Sequence, residues 1–132
     1  MKKIILLIML ILLVSCKTGQ DSKSTIEVTS KKEVLFNNYA FEITKIHSDS
    51  RCPEGTNCIW AGELVVEVSV WQKNRFIESS VLTFSPKTKD ENLAWFSKFV
   101  SENKKVKSYK ISPIKTEKSL ELKDYKIELV LE

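Results

Sequence analysis

A regular alternation of apolar and polar residues constrains the fold of this chain more than any other feature. It is cleanest in residues 39–43, 64–71 and 125–132, where every second residue is a large apolar one. Successive side chains of a strand point to opposite faces of a sheet, so each stretch predicts a strand with one face in a core and one in water.

Weaker strand patterns occupy residues 75–84, 107–113 and 118–122. The polar sequence at 72–74 separates two of the strand candidates and predicts a hairpin turn. The chain therefore contains six or seven short strands.

One segment has helical periodicity instead. Thr88 and Glu91 fit the S/T-x-x-E capping box, and Leu93, Phe96 and Val100 follow at i, i+3 and i+7. This pattern predicts a helix over residues 89–102. Its aromatic residues are expected to pack against the sheet rather than to stack on a ligand; they are Trp95, Phe96 and Phe99.

The composition agrees with one small domain: 132 residues, of which 42% are hydrophobic and 29% charged. We therefore predict a mainly β fold, either an antiparallel β-sandwich or a small open barrel, with one short helix. The 3 glycines are too few and too scattered for a phosphate-binding loop. The single histidine, His47, excludes H-E-x-x-H zinc sites, and no cofactor is expected.

The N-terminus has the features of an export signal. Lys2 and Lys3 precede the apolar run 4–14, whose 11 residues are too few to span a bilayer core of about 30 Å at 1.5 Å per residue. Residues 13–16, Leu-Val-Ser-Cys, resemble the lipobox of bacterial lipoproteins. The other interpretations are an ordinary secretory signal with an incidental cysteine and a short uncleaved membrane segment.

The lipobox resemblance implies that the signal peptide, 1–15, is removed and that the Cys16 thiol carries a diacylglyceryl group, with a further acyl chain such as palmitate on the new amine. Two or more chains are enough for stable membrane anchoring. Lys17 stands where an Asp would resemble an inner-membrane retention signal, so an outer-membrane location is favoured. Residues 16–32 would then be the lipidated cysteine and a flexible polar tether, and 33–132 a single β domain.

After lipidation of Cys16, two cysteines remain. Cys52 and Cys58 bracket five residues in a chain addressed to an oxidising compartment, which favours a local disulfide. Unlinked thiols and a redox-active pair are alternatives, although the C-x-x-C spacing typical of the latter is absent. A zinc or copper site could also be assembled from His47, Asp49 and the two cysteines.

The segment 49–62 contains two of the three glycines and both remaining cysteines. It resembles a CP-x-G-x-x-C-x-W-x-G segment of small secreted bacterial proteins, a resemblance that implies no activity. In one interpretation Trp60 packs on the disulfide and caps one end of the sandwich. In the other, a rigid loop presents four side chains to a partner: Arg51, Glu54, Asn57 and Trp60.

The net charge of the chain is small. The precursor carries +4, and loss of Lys2 and Lys3 leaves 19 basic and 17 acidic residues, which is not typical of a nucleic-acid-binding protein. Nine lysines between 98 and 126, against four acidic residues, could contact anionic lipid headgroups or acidic glycans. They could equally be solvated residues that protect exposed strand edges from aggregation.

These observations favour a non-enzymatic lipoprotein of the bacterial cell envelope whose β domain binds or supports another component, an envelope protein or a glycan. An inhibitor or immunity-type lipoprotein and a metal carrier are the alternatives. Catalysis is disfavoured because His47 and Asp49 have no nucleophile motif such as G-x-S-x-G beside them. The oligomeric state is left open.

Overall fold

The computed structural model describes residues 25–34, 38–101 and 103–132. The lipobox, Cys16 and the apolar signal lie outside these residues. The described chain is mainly β, as predicted. Its elements are β1 (Thr25–Val28), β2 (Glu33–Val34), β3 (Tyr39–Asp49), β4 (Leu64–Gln72), β5 (Arg75–Phe84), α1 (Lys89–Ser97), β6 (Val106–Ser112) and β7 (Lys126–Leu131).

The strands form two antiparallel sheets that are not closed into a barrel, so the architecture is sandwich-like. One sheet has the order β2-β3-β4-β5 and the other β1-β7-β6. In β4 the predicted burial of every second residue is confirmed, since Leu64, Val66, Val68 and Val70 are all buried. These side chains share one core with the buried face of β7.

Helix α1 contacts β5 and β6, which are edge strands of different sheets, and so covers one side of the core. Phe96 makes an edge-to-face contact with Phe41 of β3, with 5.3 Å between ring centroids, and Phe99 makes a similar one at 5.9 Å. Core packing of the helix aromatics is thereby confirmed.

The helix is shorter than expected and is not capped as expected. It ends at Ser97 rather than at residue 102, and the Thr88 side chain makes no capping bond. The Thr88 hydroxyl instead donates to the carbonyl of Thr83 and accepts from the Ser85 amide at 3.2 Å, which fixes the turn between β5 and α1. A tertiary hydrogen bond has replaced the local one.

The largest correction concerns the expected tether at 16–32. Residues 25–28 of that segment form β1, which pairs with β7 from Thr25 opposite Val130 to Val28 opposite Ile127. Ile26 and Val28 are 3% and 0% exposed, because they alternate and fill the core face of the three-stranded sheet. The ordered domain therefore includes residues before 33.

A second difference lies before β7. Residues 118–122, a weak strand candidate, pair with no strand, and a 3-10 turn follows at Leu122–Asp124. The turn closes on itself, since the Asp124 carboxylate accepts from the Glu121 amide at 2.8 Å.

The sandwich has two distinct ends. We call the hairpin end the one with the β4–β5 turn at Lys73 and Asn74, both of which have positive φ, as in a tight hairpin. Tyr39 lies at this end, opposite Gln72, and its ring is 5.8 Å from that of Phe99, just after α1. The start of β6 lies at the same end, because the Val106 amide donates to the Ser97 hydroxyl. The opposite, disulfide end carries Asp49 and the starts of β4 and β7.

The register of β1 places the start of the described chain at the hairpin end. Thr25 is opposite Val130, next to the Leu131–Val106 pair that closes β6 and β7 at that end. No helix within the described ranges combines the length and apolarity needed to cross a membrane.

The placement of β1 predicts that Ile26→Ala destabilises the domain. Truncating a buried isoleucine should lower the free energy of unfolding by about 2–5 kcal/mol. Thr25→Ala, at the exposed neighbouring position, is the matched control, with an expected change within about 0.5 kcal/mol. Urea unfolding of both variants measures the difference. Equal stabilities would show that residues 25–28 behave as a tether after all.

Candidate functional site

A buried carboxylate organises the disulfide end. The Asp49 side chain, 6% exposed, ends β3 and accepts two hydrogen bonds of 2.9 Å from the Arg51 guanidinium and one of 2.9 Å from the Tyr125 hydroxyl. Arg51 also donates to the Pro113 carbonyl at 3.1 Å, and the Lys115 ammonium donates to the Asp49 carbonyl at 3.3 Å. Tyr125 precedes β7 and Pro113 follows β6, so this cluster joins the two sheets.

The ionisation of these groups follows from their contacts. Burial raises the pKa of Asp49, but the hydrogen bonds from Arg51 and Tyr125 outweigh it and bring the pKa to about 2. Burial and the hydrogen bond to the Asp49 carboxylate raise the pKa of Tyr125 to about 12. Asp49 is therefore a paired anion and Tyr125 a neutral donor throughout the physiological range.

The loop between β3 and β4 is held at three levels. At its base the Ser50 amide donates to the Glu63 carbonyl at 2.8 Å. In its middle Cys52 and Cys58 form the predicted disulfide, with 5.9 Å between their Cα atoms. At its side the Glu54 amide donates to the Lys115 carbonyl at 2.8 Å, which ties the loop to the connection after β6.

Gly62 is required where the loop returns to β4. Its φ is +67°, and a Cβ at this position would lie 1.9 Å from the Ser50 carbonyl oxygen. The two halves of the loop approach more closely here than any side chain would allow. In contrast, Gly55 has a positive φ but open space around it.

The loop projects two large apolar side chains into solvent. Ile59 is 89% exposed and Trp60 79% exposed. The expectation that Trp60 packs on the disulfide and caps the sandwich is therefore wrong. Ile59 belongs to the same exposed tip, although the sequence interpretation did not select it. Its position beside Trp60 in a mostly polar loop is the signal that could have identified it.

Two adjoining cavities lie between this loop and the β5–α1 connection. Their volumes are about 460 and 410 Å³, and both are bordered by Ala61 and Gly62 on one side and by Ser85 and Pro86 on the other. We call the pair the end groove. The larger cavity is lined by aromatic and aliphatic side chains of both sheets: Phe84, Tyr109 and Ile111. The smaller cavity is lined by Trp60.

The four predicted loop residues do not all face a partner. Glu54, Asn57 and Trp60 are exposed, whereas Arg51 is turned inward onto Asp49 and Pro113. Arg51 is thus a structural residue of the loop base. Sequence inspection missed this because Pro113 and Tyr125, which complete its environment, are more than 60 residues away.

The alternative zinc or copper site is not assembled. Cys52 and Cys58 are linked to each other, and Asp49 is engaged by Arg51. His47 lies on another surface, with its Nε2 3.2 Å from the Glu67 carboxylate, a hydrogen bond that lowers the pKa of Glu67. Within the ranges that the structure describes, no three His, Cys, Asp or Glu side chains are grouped to hold a metal ion.

The second of two irregularities in β3 explains why His47 and Asp49 face differently, because the first lies before both residues and displaces them together. The register between β3 and β4 shifts between Ile43 and Lys45 and again between Ile46 and Ser48. Such bulges break the two-residue alternation that would have placed residues 47 and 49 on one face.

The low pKa of Asp49 predicts a specific pH dependence. A folded-state pKa near 2, below the ordinary 3.8, contributes stability that is present above about pH 4 and is lost as the pH falls through the folded pKa. In Asp49→Asn this contribution is absent. The difference in unfolding free energy between wild type and Asp49→Asn should therefore shrink by about 2 kcal/mol between pH 5 and pH 2.

Urea unfolding at a series of pH values measures this difference. The exposed Asp90→Asn substitution is the matched control for loss of one negative charge. If wild type and Asp49→Asn lose stability in parallel with acid, the carboxylate is not held by Arg51 and Tyr125 as described.

The chain was compared with protein-family models, with curated proteins and with solved structures, and no match was found in any of the three comparisons.

Proposed function

We propose that this protein is a lipid-anchored lipoprotein of the bacterial cell envelope whose β domain is a non-enzymatic binding module. The disulfide end binds a second envelope protein. The observation that carries the proposal is the exposed Ile59–Trp60 tip on a loop whose base and middle are fixed.

An exposed pair of this kind is costly for a soluble surface unless a partner covers it. Large apolar side chains grouped at one place mark interaction sites more often than scattered ones do. Tryptophan is enriched among the residues that dominate binding energy. The disulfide and the Ser50–Glu63 pairing hold the loop before binding, so less conformational entropy is lost on association.

The end groove favours a protein partner over a glycan. Apolar side chains of both sheets line its larger cavity, notably Phe84 and Ile111. Such a surface accepts an apolar side chain or a short extended segment, while the Ile59–Trp60 tip enters a complementary pocket of the partner. An inhibitor or immunity-type lipoprotein, whose rigid loop blocks another protein's cleft, would use the same tip.

Two side chains with catalytic potential are already committed to structural contacts, which supports a non-enzymatic role. His47 is paired with Glu67, and Asp49 accepts hydrogen bonds from Arg51 and Tyr125. A general base must be able to reach a substrate proton. Asp49 has a pKa of about 2 and little exposed surface, so it is unsuited to that task.

The anchor proposal predicts the mass of the mature protein. Protein extracted from native membranes should begin at Cys16 and carry a diacylglyceryl adduct, with or without an amide-linked acyl chain. Cys52 and Cys58 should alkylate only after reduction. Intact-mass measurement before and after reduction and alkylation provides both results. A chain cleaved elsewhere, or one without lipid, would overturn the anchor.

The binding proposal predicts site-specific cross-linking. A photoreactive amino acid at Trp60, introduced in living cells, should give one discrete adduct with another envelope protein. Ile59→Asp in the same chain should reduce this adduct at least tenfold, because a charge at a desolvated contact costs more than about 1.4 kcal/mol of binding free energy. Neither change should unfold the domain, since both side chains project into solvent.

Val81 is the matched control for the cross-linking experiment. It is an exposed apolar residue, 55% exposed, on β5 of the four-stranded sheet. The same photoreactive group at Val81 should give no discrete adduct. Equal adducts at positions 60 and 81, or an adduct indifferent to Ile59→Asp, would remove the disulfide end as the binding surface.

A further inference from the structure

The hairpin end of the sandwich has an unusual charge distribution. Five exposed cationic residues belong to it: Lys73, Arg75, Lys98, Lys105 and Lys107. They come from the β4–β5 turn, the end of α1 and the start of β6. The three segments meet there because Tyr39 contacts Phe99 and Ser97 bonds to the Val106 amide at 3.0 Å.

Among the described residues, few acidic side chains offset these charges; Glu102, between Lys98 and Lys104 in the sequence, lies outside the described residues. Glu132 contacts Lys107 at 3.7 Å, an ion pair exposed on both sides. Glu33 and Glu78 lie further in, opposite Phe41 and Val70. The hairpin end is therefore a positive surface on a domain whose two charge types are nearly balanced overall.

The disulfide end differs. Two of its cations, Arg51 and Lys115, are engaged by Asp49, while Lys87, Lys89, Lys118 and Lys123 lie at this end as well. Exposed carboxylates also surround this end, including Glu54, Glu63, Asp90 and Glu91. Positive potential is thus concentrated at one end of the long axis of the domain.

The direction of β1 places the N-terminal side of the described chain at the basic hairpin end. Thr25, opposite Val130, starts β1 at the hairpin end. Eight residues, 17–24, separate it from Cys16, so the nine steps between Cys16 and Thr25 reach at most about 30 Å when fully extended. A lipid on Cys16 therefore keeps the hairpin end, rather than the disulfide end, near the headgroups.

We propose that the basic hairpin end docks on anionic lipid headgroups of the membrane that holds Cys16, so that the Ile59–Trp60 tip points away from that membrane. This proposal rests on the lipid anchor of the proposed function. Lysine and arginine near a negatively charged membrane surface are attracted to it, and the attraction decays over about 8 Å at physiological ionic strength. The link keeps Thr25 within about 30 Å of the membrane surface, which leaves the cations of the same end free to come within this shorter distance of the headgroups.

The test uses lipidated protein from native membranes, reconstituted into vesicles of phosphatidylcholine or of phosphatidylcholine with a quarter phosphatidylglycerol. An amine-acylating reagent added outside labels accessible lysines, and mass spectrometry gives each rate. Lys73, Lys105 and Lys107 should label about threefold more slowly in the anionic vesicles, and 0.5 M salt should restore their rates. Lys87, Lys118 and Lys123, exposed and away from the hairpin end, should label equally in both.

Matched charge-reversal variants sharpen the result. Lys73→Glu with Lys105→Glu should abolish the protection of Lys107, while Lys87→Glu with Lys118→Glu should leave it intact. Both pairs change the net charge by the same amount at exposed positions. Equal loss of protection in the two variants would mean that net charge, rather than the hairpin end, attracts the domain, and would overturn the proposal.

Vesicle flotation separates this proposal from the anchor. If the protein floats with both vesicle types but its lysines are not protected in the anionic ones, the lipid anchor is supported and the docking face is overturned. Protein that floats with anionic vesicles alone lacks an effective lipid anchor, which overturns the proposed function, and it supports the docking face only where Lys73, Lys105 and Lys107 are protected. Protection confined to lysines of the disulfide end would overturn the orientation.

Discussion

The hydrogen-bonded carboxylate of Asp49 is the interaction on which the arrangement of the disulfide end depends. Its partners come from the β3–β4 loop, from the segment after β6 and from the residue before β7. It therefore fixes the relative position of the two sheets and the base of the loop together. A charge removed from water is tolerated here because each oxygen accepts strong hydrogen bonds from Arg51 or Tyr125, and this compensation lowers the pKa of Asp49 to about 2.

Local patterns predicted much of the fold because alternation is itself a local property. The sequence of β4 places every second residue in the core, and no distant information is needed to see it. β1 is different. Its four residues lie in a polar segment, and Ile26 and Val28 become core residues only through β7, about 100 positions away in the chain. Likewise Thr88 fits a capping pattern but bonds to Thr83 instead, since the turn after β5 places that carbonyl within reach.

The disulfide was predictable from the spacing of the cysteines and from the export signal expected at the N-terminus, whereas the surface that it supports was not. Whether Trp60 covers the bridge or projects from it depends on what the rest of the fold leaves beside it, and the structure leaves the end groove there. Arg51 shows the opposite outcome: the Asp49 carboxylate two residues before it and the Pro113 carbonyl draw it inward. The bulge of β3 between Ile46 and Ser48 is a further irregularity, and it turns His47 and Asp49 to different faces.

The two ends of the sandwich differ in charge and exposed apolar surface, and the strands between them hold the two ends apart. β3 has 11 residues and spans about 35 Å at about 3.3 Å per residue. With the basic hairpin end on the headgroups and β3 along the membrane normal, the Ile59–Trp60 tip would stand about that far from the membrane surface. The domain then acts as a rigid spacer as well as a binding module. A partner would be met at a set height and orientation, which reduces the volume the tip must search and raises its effective concentration near other proteins of the same membrane.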